Sequence, residues 1–264
     1  MNNLIFSKFR DYIYENLGID YNENKKVLLE ARIKKLMNRY AITSFESFYN
    51  RIFVDKKLLI EFLNEMTTNK TNFFREINHF NFLKSYMSTF LNLNKRINLS
   101  KEIRVWSAGC STGEEAYTVG MVLKEILNPN IIIKILATDI STNVLQKAMQ
   151  RTYPSTITLD VPVYYLNKYF TKDNKSFRLN DEIYNMVTFR YFNLMNKFPF
   201  KHKFDIIFCR NVMIYFDYDT RANLSNKFHK ALVKNGLMII GHSESLSDKK
   251  KEFKYMKPTI YSAM

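Results

Sequence analysis

The sequence VWSAGCSTGEEAY, residues 105–117, combines the end of an apolar strand, a glycine turn and an acidic helix start. Gly109 and Gly113 permit tight turning and a close approach of the backbone to a ligand. Thr112 or Ser111 can cap the helix that follows. A strand, a glycine turn and a helix in this order are typical of a nucleoside-cofactor pocket.

A second apolar run, residues 131–138, ends at Asp139. An acidic side chain at a strand end, placed after the first glycine turn, can accept hydrogen bonds from both ribose hydroxyls of a nucleoside. The two segments together predict a nucleoside-binding site. A glycine-rich turn without a ligand would show the same pattern, so the motif alone leaves that interpretation open.

Two glutamates, Glu114 and Glu115, stand in the first turn of the predicted helix. A dinucleotide site places pyrophosphate at that position, which disfavours negative side chains there. An acidic pair suits a cationic ligand better, and S-adenosylmethionine carries a sulfonium and an α-amino group. Compensation of the helix dipole is the alternative explanation of the same two residues.

The composition is that of a globular protein with a substantial core. The chain has 264 residues, of which 46% are hydrophobic and 25% are charged. Cys110 and Cys209 show no metal-ligand spacing and are too few for a disulfide framework, so we expect reduced thiols. We find no apolar run of membrane-spanning length and no signal-peptide core, and we expect a cytoplasmic monomer without membrane insertion.

A formal net charge of +15 implies an acidic partner, which could be nucleic acid, an anionic membrane surface or an acidic protein face. The densest basic cluster lies near the N-terminus. It consists of Lys25, Lys26, Arg32, Lys34, Lys35 and Arg39. Such a cluster is either a solvated helix face or a docking surface, and charge alone does not choose between them.

Apolar residues recur at helical spacing through the first ninety residues, which predicts an all-helical domain over residues 1–91. Gly18 is a predicted helix end, Thr43 with Glu46 a predicted capping box, and Asp55 the predicted cap of a helix through Met66. The polar residues 92–102 are predicted to be an interdomain linker.

From Ile103 onward apolar strands alternate with helices, which predicts a parallel sheet covered on both faces. The predicted strands are 103–107, 131–138, 204–209 and 237–241, and the predicted helices are 113–127, 141–151 and 219–234. Residues 153–192 are predicted to form a small inserted lobe with antiparallel pairing, and 253–263 an antiparallel edge strand. The expected fold class is α/β, with a small N-terminal helical domain followed by a doubly wound, Rossmann-like domain over residues 103–264.

Five segments in order carry a resemblance to a known family. They are TTNKTNFFRE at 67–76, VWSAGCSTGEEAY at 105–117, ATDIS at 137–141, FDIIFCRNVMIYFD at 204–217 and GHSES at 241–245. In order and spacing they resemble the CheR-type chemotaxis receptor methyltransferases. The resemblance covers nearly the whole chain and implies a class I methyltransferase domain.

The resemblance implies methyl transfer from S-adenosylmethionine to glutamate side chains on the cytoplasmic helices of chemoreceptors. The products would be glutamyl methyl esters, used in chemotactic adaptation, and S-adenosylhomocysteine. The positions that match cofactor-contacting residues of the family are Asn69, Thr71, Arg75, Glu115, Asp139, Asn193, Leu194, Arg210 and Asn211. Arg75 and Tyr215 are the expected catalytic residues, and only the second glutamate of the acidic pair is carried over.

Two other functions were weighed against this one. A nucleic-acid methyltransferase would fit the charge, but base-amino methylases typically carry an Asp- or Asn-Pro-Pro-aromatic motif where this chain has Arg210-Asn211-Val212. A non-catalytic docking module would not need the residues that match the cofactor motifs. We therefore expect no nucleic-acid partner.

Two further expectations concern metals and the docking of the receptor. The four histidines show no metal-ligand spacing, so we expect no metal site. Family members that bind a C-terminal receptor pentapeptide share a glycine-containing loop in the inserted lobe. Residues 171–176 contain no glycine, which places such a tether in doubt.

Overall fold

The structure is a computed structural model that describes residues 1–246 and 252–264. The chain divides into two compact units, which we call the helical unit and the sheet unit. The helical unit consists of Met1–Thr68 and Tyr215–Thr220, and the sheet unit of Asn69–Ile214 and Arg221–Met264.

Four helices build the helical unit. They are α1 (Asn3–Leu17), α2 (Lys26–Arg39), α3 (Phe45–Ile52) and α4 (Lys56–Met66). Each helix buries the apolar stripe that its sequence predicts, and the ring centroids of Phe9, Phe48 and Phe62 lie 5.7 to 6.1 Å apart. These rings are fully buried, so the hydrophobic effect and aromatic packing stabilise the bundle.

The helix ends in this unit are fixed by local hydrogen bonds. The Asp55 carboxylate accepts the Leu58 N–H at 3.0 Å, and Gly18 ends α1 with a φ of 70°, as the sequence predicts. The capping box predicted at Thr43 is wrong. Ser44 has the extended backbone of an N-cap, and its hydroxyl accepts the Ser47 N–H at 3.0 Å.

The sheet unit contains, among the described residues, six helices and most of a seventh, whose first three residues belong to the helical unit. They are α5 (Asn78–Leu93), α6 (Lys95–Ser100), α7 (Glu114–Ile126), α8 (Thr142–Gln150), α9 (Val163–Tyr169), α10 (Asp181–Tyr184) and α11 (Tyr218–Ala231). Its strands are β1 (Glu102–Ala108), β2 (Ile132–Asp139), β3 (Thr152–Pro154), β4 (Phe170–Asp173), β5 (Ser176–Leu179), β6 (Val187–Tyr191), β7 (Phe204–Cys209), β8 (Leu232–Ile240), β9 (Phe253–Lys257) and β10 (Ile260–Ala263).

Seven strands form one sheet in the order β6-β2-β1-β7-β8-β10-β9. The first five strands of this order pair in parallel, and β10 and β9 are antiparallel. The chain runs outward from β1 through β2 to β6 and then returns to β7 on the other side of β1. This reversal creates a switch point at the carboxyl ends of β1 and β7, where ligands bind in doubly wound sheets. The predicted fold class is confirmed.

The sheet is held by strands buried on both faces. Every residue of β7 is buried, as expected for a central parallel strand. On β1, Trp106 is fully buried and its indole N–H donates to the Thr138 hydroxyl at 2.9 Å. The rings around this indole belong to Phe192, Phe198, Phe200, Phe204 and Phe228.

The inserted lobe is a three-stranded antiparallel sheet in the order β3-β5-β4. Asn174 makes the β4–β5 turn with a φ of 47°, so this hairpin closes although residues 171–176 contain no glycine. The predicted lobe, residues 153–192, extends too far. Strand β6 pairs in parallel with β2 in the large sheet, because Val187 and Phe189 turn their apolar side chains into its core.

The two units meet in the chain at Thr68, ahead of the domain boundary predicted at residue 91. Helix α5 belongs to the sheet unit because Phe80, Leu83 and Phe90 are part of the same core as β1 and β7. Residues 95–100, within the predicted linker, form α6 of the same unit. The helical spacing of apolar residues predicts which face of a helix is buried, but not which element of the protein that face packs against.

The helix predicted over 219–234 ends at Ala231. Strand β8, predicted to start at residue 237, already begins at Leu232, with Asn235 at a φ of 61°. In the described part of the chain, every helix is too short or too polar to cross a membrane.

Candidate functional site

Polar side chains collect at the carboxyl ends of β1, β2 and β7, on the edge of the sheet that contains the switch point. The glycine turn follows β1, Asp139 ends β2, and Arg210 and Asn211 follow β7. The carboxyl ends of parallel strands meet at one edge of a sheet, so residues far apart in sequence form one cluster. We call it the strand-end cluster.

The glycine turn is held against β2 by its backbone. The N–H groups of Gly109 and Cys110 both donate to the Thr138 carbonyl, at 2.8 and 2.9 Å. Gly109 has a φ of 85° and Gly113 a φ of 94°, a region that side chains avoid. A Cβ at Gly109 would also lie 2.4 Å from the Val212 side chain. Both glycines are therefore required by backbone conformation and packing.

Asp139 locks the turn to the second strand. One carboxylate oxygen accepts the Ser111 N–H at 2.9 Å, and the other accepts the Ser141 N–H at 2.8 Å. Burial raises the pKa of the Asp139 carboxyl, and these backbone donors oppose the shift. The residue predicted to hold the ribose thus also has a local structural role.

Arg210 is the central cation of the strand-end cluster. Its guanidinium donates to Glu76 at 3.1 and 3.3 Å, to Glu115 at 3.4 Å, and to the Arg75 carbonyl. It lies over the Phe80 ring, 5.6 Å from the centroid, and its side chain is 2% exposed. One buried cation therefore connects loops that are more than one hundred residues apart in sequence.

Glu76 was not among the predicted site residues, yet it contacts several elements of the cluster. Its other carboxylate oxygen accepts the Asn211 side-chain amide at 3.3 Å and the His242 N–H at 3.2 Å. Burial opposes the ionisation of Glu76, but Arg210 and these donors outweigh it and hold its pKa below the usual value. Glu76 is therefore an ionised partner for Arg210.

Glu244, in the GHSES segment, fixes the loop that carries Asn211. Its carboxylate accepts the N–H groups of Gly241 at 2.5 Å, Asn211 at 2.9 Å and Ile214 at 3.3 Å. The glutamate is buried, and burial raises its pKa while the backbone donors oppose the shift. One carboxylate thus joins the loops after β7 and β8.

Four residues of the site other than glycine adopt a left-handed backbone. Phe74, Glu76, Ser111 and Asn211 have φ values of 53°, 55°, 48° and 59°. Such conformations cost roughly 1 to 3 kcal/mol each and persist only where surrounding contacts enforce them. The bonds of Glu76 to Arg210 and of Asn211 to Glu244 supply that enforcement.

The loop before α5 brings three more predicted residues to this edge of the sheet. The Asn69 carbonyl accepts the Ser111 hydroxyl at 2.8 Å, which ties the loop to the glycine turn. Arg75 donates to the Lys70 carbonyl at 2.8 Å and closes a loop that contains the half-buried Thr71.

The remaining predicted residues lie on two other segments. Asn193 and Leu194 follow β6, and the preceding Phe192 N–H donates to the Asp139 carbonyl at 3.0 Å. Tyr215 falls within the helical unit, where its carbonyl accepts the Asp20 N–H at 3.0 Å. The predicted cofactor residues of the sheet unit thus lie around the carboxyl ends of its parallel strands. Tyr215 belongs to the helical unit.

Glu76, His79 and His242 form a group whose potential metal-ligand atoms lie within 4.8 Å of one another. Burial, followed by the charge of Arg210, lowers the pKa of His79 to about 3, and His79 Nε2 lies 2.8 Å from the Thr259 hydroxyl. The guanidinium of Arg210 already occupies the Glu76 carboxylate, and its positive charge disfavours a metal ion beside it. We assign no metal to the group, and the absence of a metal site stays a prediction.

The charge balance of the cluster suits a cationic ligand. Burial raises the pKa of Glu114 and Glu115 as well as that of Asp139, although Ser107 donates to Glu115 at 2.7 Å and Thr112 to Glu114 at 2.7 Å. These carboxylates, of which Asp139 is buried and Glu114 and Glu115 are partly buried, outnumber the single buried guanidinium of the cluster. A sulfonium with an ammonium group would offset the excess of negative charge, so the donor set fits S-adenosylmethionine.

Comparison with known proteins agrees with this geometry. The family model "CheR methyltransferase, all-alpha domain" matches residues 5–67, and "CheR methyltransferase, SAM binding domain" matches residues 69–262. The chain belongs to the CheR methyltransferase family. The cofactor predicted from the sequence, S-adenosylmethionine, is confirmed by the second match.

The relatives of this CheR-family protein cover nearly its full length. A chemotaxis protein methyltransferase of Borreliella burgdorferi is 42% identical over 97% of this chain and 92% of its own. Chemotaxis protein methyltransferase 2 of Vibrio cholerae is 36% identical over 92% of this chain and 85% of its own. Among solved structures, PKMT2 of Rickettsia typhi in complex with AdoHcy is 16% identical over 53% of this chain and 21% of its own, with a TM-score of 0.35.

We expect Asp139→Ala to weaken the binding of S-adenosylhomocysteine by about 1.5 to 3 kcal/mol, because charge-assisted hydrogen bonds are lost. Titration calorimetry measures the change. The thermal midpoint should fall as well, since the Ser111 and Ser141 amides lose their acceptor. Asp173→Ala, at an exposed strand end of the inserted lobe, is the matched control. Wild-type affinity in the Asp139 variant would contradict a role in cofactor binding.

Proposed function

We propose that this protein transfers the methyl group of S-adenosylmethionine to glutamate side chains on the cytoplasmic helices of chemoreceptors. The observation that carries the proposal is a largely buried, predominantly acidic cluster at the switch point of a CheR-family domain. The names of the relatives, which are chemotaxis protein methyltransferases, support the choice of substrate. We propose that the protein acts in the cytoplasm as a monomer.

The chemistry fits the residue types of the cluster. The cofactor supplies a methyl group on a sulfonium, which a carboxylate oxygen attacks in line while the carbon–sulfur bond breaks. A glutamate has a reference pKa of about 4.3 and is ionised at neutral pH, so the reaction needs no general base. The protein has to position the acceptor oxygen at roughly 3 to 3.5 Å from the methyl carbon and exclude water.

We propose distinct roles for the predicted residues. Asp139, with the loop of Asn193 and Leu194, would hold the nucleoside, and Glu115 with Arg210 would face the methionine end. Arg75 would bind a carboxylate, either that of the methionine or that of the acceptor glutamate, because its planar fork suits both. Asn69 and Thr71, on the loop that Arg75 closes, and Asn211, oriented by Glu244, would complete the pocket.

Tyr215 is proposed to lie beside the methyl group during transfer. A tyrosine hydroxyl is a neutral donor, so it can orient the acceptor oxygen without quenching its negative charge.

Incubation with methyl-labelled cofactor tests the proposed substrate. We expect base-labile label on receptor cytoplasmic fragments, because methyl esters hydrolyse in base, and none on DNA or RNA. Fragments with every methylation-region glutamate changed to alanine are the control. Base-stable label on receptor would contradict ester formation, and label on nucleic acid would favour the second candidate. Cofactor binding without transfer to any of these would favour a docking module.

We expect Arg75→Ala and Tyr215→Phe to lower kcat for receptor methylation at least about tenfold, with a smaller effect on stability. Arg75 makes one hydrogen bond to a carbonyl, worth about 1 kcal/mol, which corresponds to a midpoint shift of about 2 to 4 °C. Arg190→Ala removes a similar bond, to the Phe189 carbonyl at 2.8 Å, outside the site and is the matched control. Equal kcat in the Arg75 and Arg190 variants would contradict the catalytic role.

Helix α2 is the proposed receptor-docking surface. Its contacts within the protein indicate which of its basic residues are available to bind the receptor. Arg32 donates to the carbonyls of Glu65, Met66 and Thr67 and so caps the end of α4, which gives it a structural role. The side chains of Lys34, Lys35 and Arg39 are more than half exposed. They form ion pairs, each at 2.9 Å, with Glu30, Glu65 and Glu61 respectively.

We expect the triple variant Lys34→Gln, Lys35→Gln, Arg39→Gln to raise the apparent KM for receptor at low salt. Exposed pairs contribute roughly 0.2 to 1 kcal/mol each, and salt screens them, so the difference should shrink at high salt. Glutamine is preferable to glutamate here because a glutamate would face the existing acidic partners. A triple variant of Lys8, Lys56 and Lys57, exposed in the same unit, controls for net charge. Equal kinetics for the two triple variants would move the docking surface elsewhere.

A further inference from the structure

Lys227 on α11 lies in an unusual environment for a lysine. Its ammonium donates to the carbonyls of Leu194 at 2.7 Å and Met195 at 3.1 Å. It also lies over the face of the Phe198 ring, 4.9 Å from the centroid. Burial lowers the pKa of Lys227, because removing a cation from water disfavours its charged form. Placing this positive charge beside the Leu194 and Met195 carbonyls therefore costs desolvation free energy.

The loop that Lys227 contacts carries two of the proposed cofactor residues, Asn193 and Leu194. Within it, the Asn193 side chain accepts the Met195 N–H at 2.9 Å, and the Asn193 carbonyl accepts the Asn196 N–H at 3.0 Å. These bonds define the turn but do not attach it to the rest of the unit.

Several contacts attach the turn to the rest of the sheet unit. At its start, the Phe192 N–H donates to the Asp139 carbonyl, at the end of β2. After it, Phe198 packs against the Trp106 ring with centroids 5.0 Å apart. Lys227 attaches the turn through the peptide carbonyls of Leu194 and Met195 themselves.

We infer that Lys227 is a positioning residue for cofactor binding, which fixes the Asn193–Leu194 turn against α11 in the conformation that receives the nucleoside. The inference rests on the proposed role of that turn in the cofactor pocket. Lys227 acts through main-chain carbonyls, so its loss alters the placement of the turn and leaves the acidic strand ends in place. The affected step is cofactor binding, before the receptor is methylated.

The test compares Lys227→Met, which keeps the apolar stem and removes the donors, with Lys227→Arg, which restores them. We expect the methionine variant to raise the dissociation constant for S-adenosylhomocysteine and the KM for S-adenosylmethionine about tenfold. The KM for receptor and kcat at saturating cofactor should stay at wild-type values. The arginine variant should recover most of the affinity. Lys230→Met, exposed on the same helix, is the matched control.

Each outcome decides between distinct explanations. A lower thermal midpoint with unchanged cofactor affinity would overturn the inference and leave Lys227 a purely structural residue. If the methionine variant does not fold, Lys227→Gln, which keeps two N–H donors on a shorter side chain, should show a smaller rise in the same constants, and wild-type constants would overturn the inference. Asn193→Ala separates the two proposals. If Asn193→Ala leaves the cofactor affinity unchanged, the turn is not part of the proposed pocket. If Asn193→Ala weakens cofactor binding while the Lys227 variants bind normally, only the role of Lys227 is refuted.

Discussion

The ion pairs of Arg210 are the interaction on which the rest of the site depends. A single buried guanidinium neutralises part of a carboxylate cluster that the sheet topology forces together, and it also bonds to the backbone of the preceding loop. Without this cation, Glu76 and Glu115 would repel each other in a medium of low dielectric constant. Because the neutralisation is only partial, the site retains an attraction for a positively charged ligand. The same arrangement thus holds the loops of the site together and suits a positively charged ligand such as S-adenosylmethionine.

Much of the fold follows from local signals in the sequence. Apolar runs locate β1, β2 and β7 within one residue, and the glycine turn marks the switch point before any contact is known. Errors arise where two elements share one local pattern. An amphipathic helix has the same spacing of apolar residues whether it packs on other helices or on a sheet. For this reason α5 was predicted within the helical domain, whereas it belongs to the sheet unit. Similarly, β6 and the strands of the lobe have the same residue preferences, and only pairing distinguishes them.

The position of a site residue was predictable where a polar side chain stands at or directly after the end of a buried strand, as with Asp139 and Arg210. The residues that orient them could not be found in the same way. Glu76 and Glu244 act through atoms contributed by loops that are distant in sequence, and nothing in their neighbours marks the contact. Lys227 looks like any surface lysine of a polar helix until its carbonyl partners are known. The proximity of His79 and His242 could not be predicted either, because the two rings approach each other only through the fold.

The strand order β8-β10-β9 has a consequence for synthesis of the chain. Strand β9 leaves the ribosome before β10, yet β10 separates β9 from β8 in the finished sheet. Until residues 260–263 emerge, the backbone of β8 presents an open edge that β9 of the same chain, or a strand of a neighbouring chain, can occupy out of order. The sheet can close correctly only after translation has passed residue 263. A fusion or a pause in translation that delays the pairing of residues 260–263 therefore leaves the edge of β8 exposed and prone to aggregation.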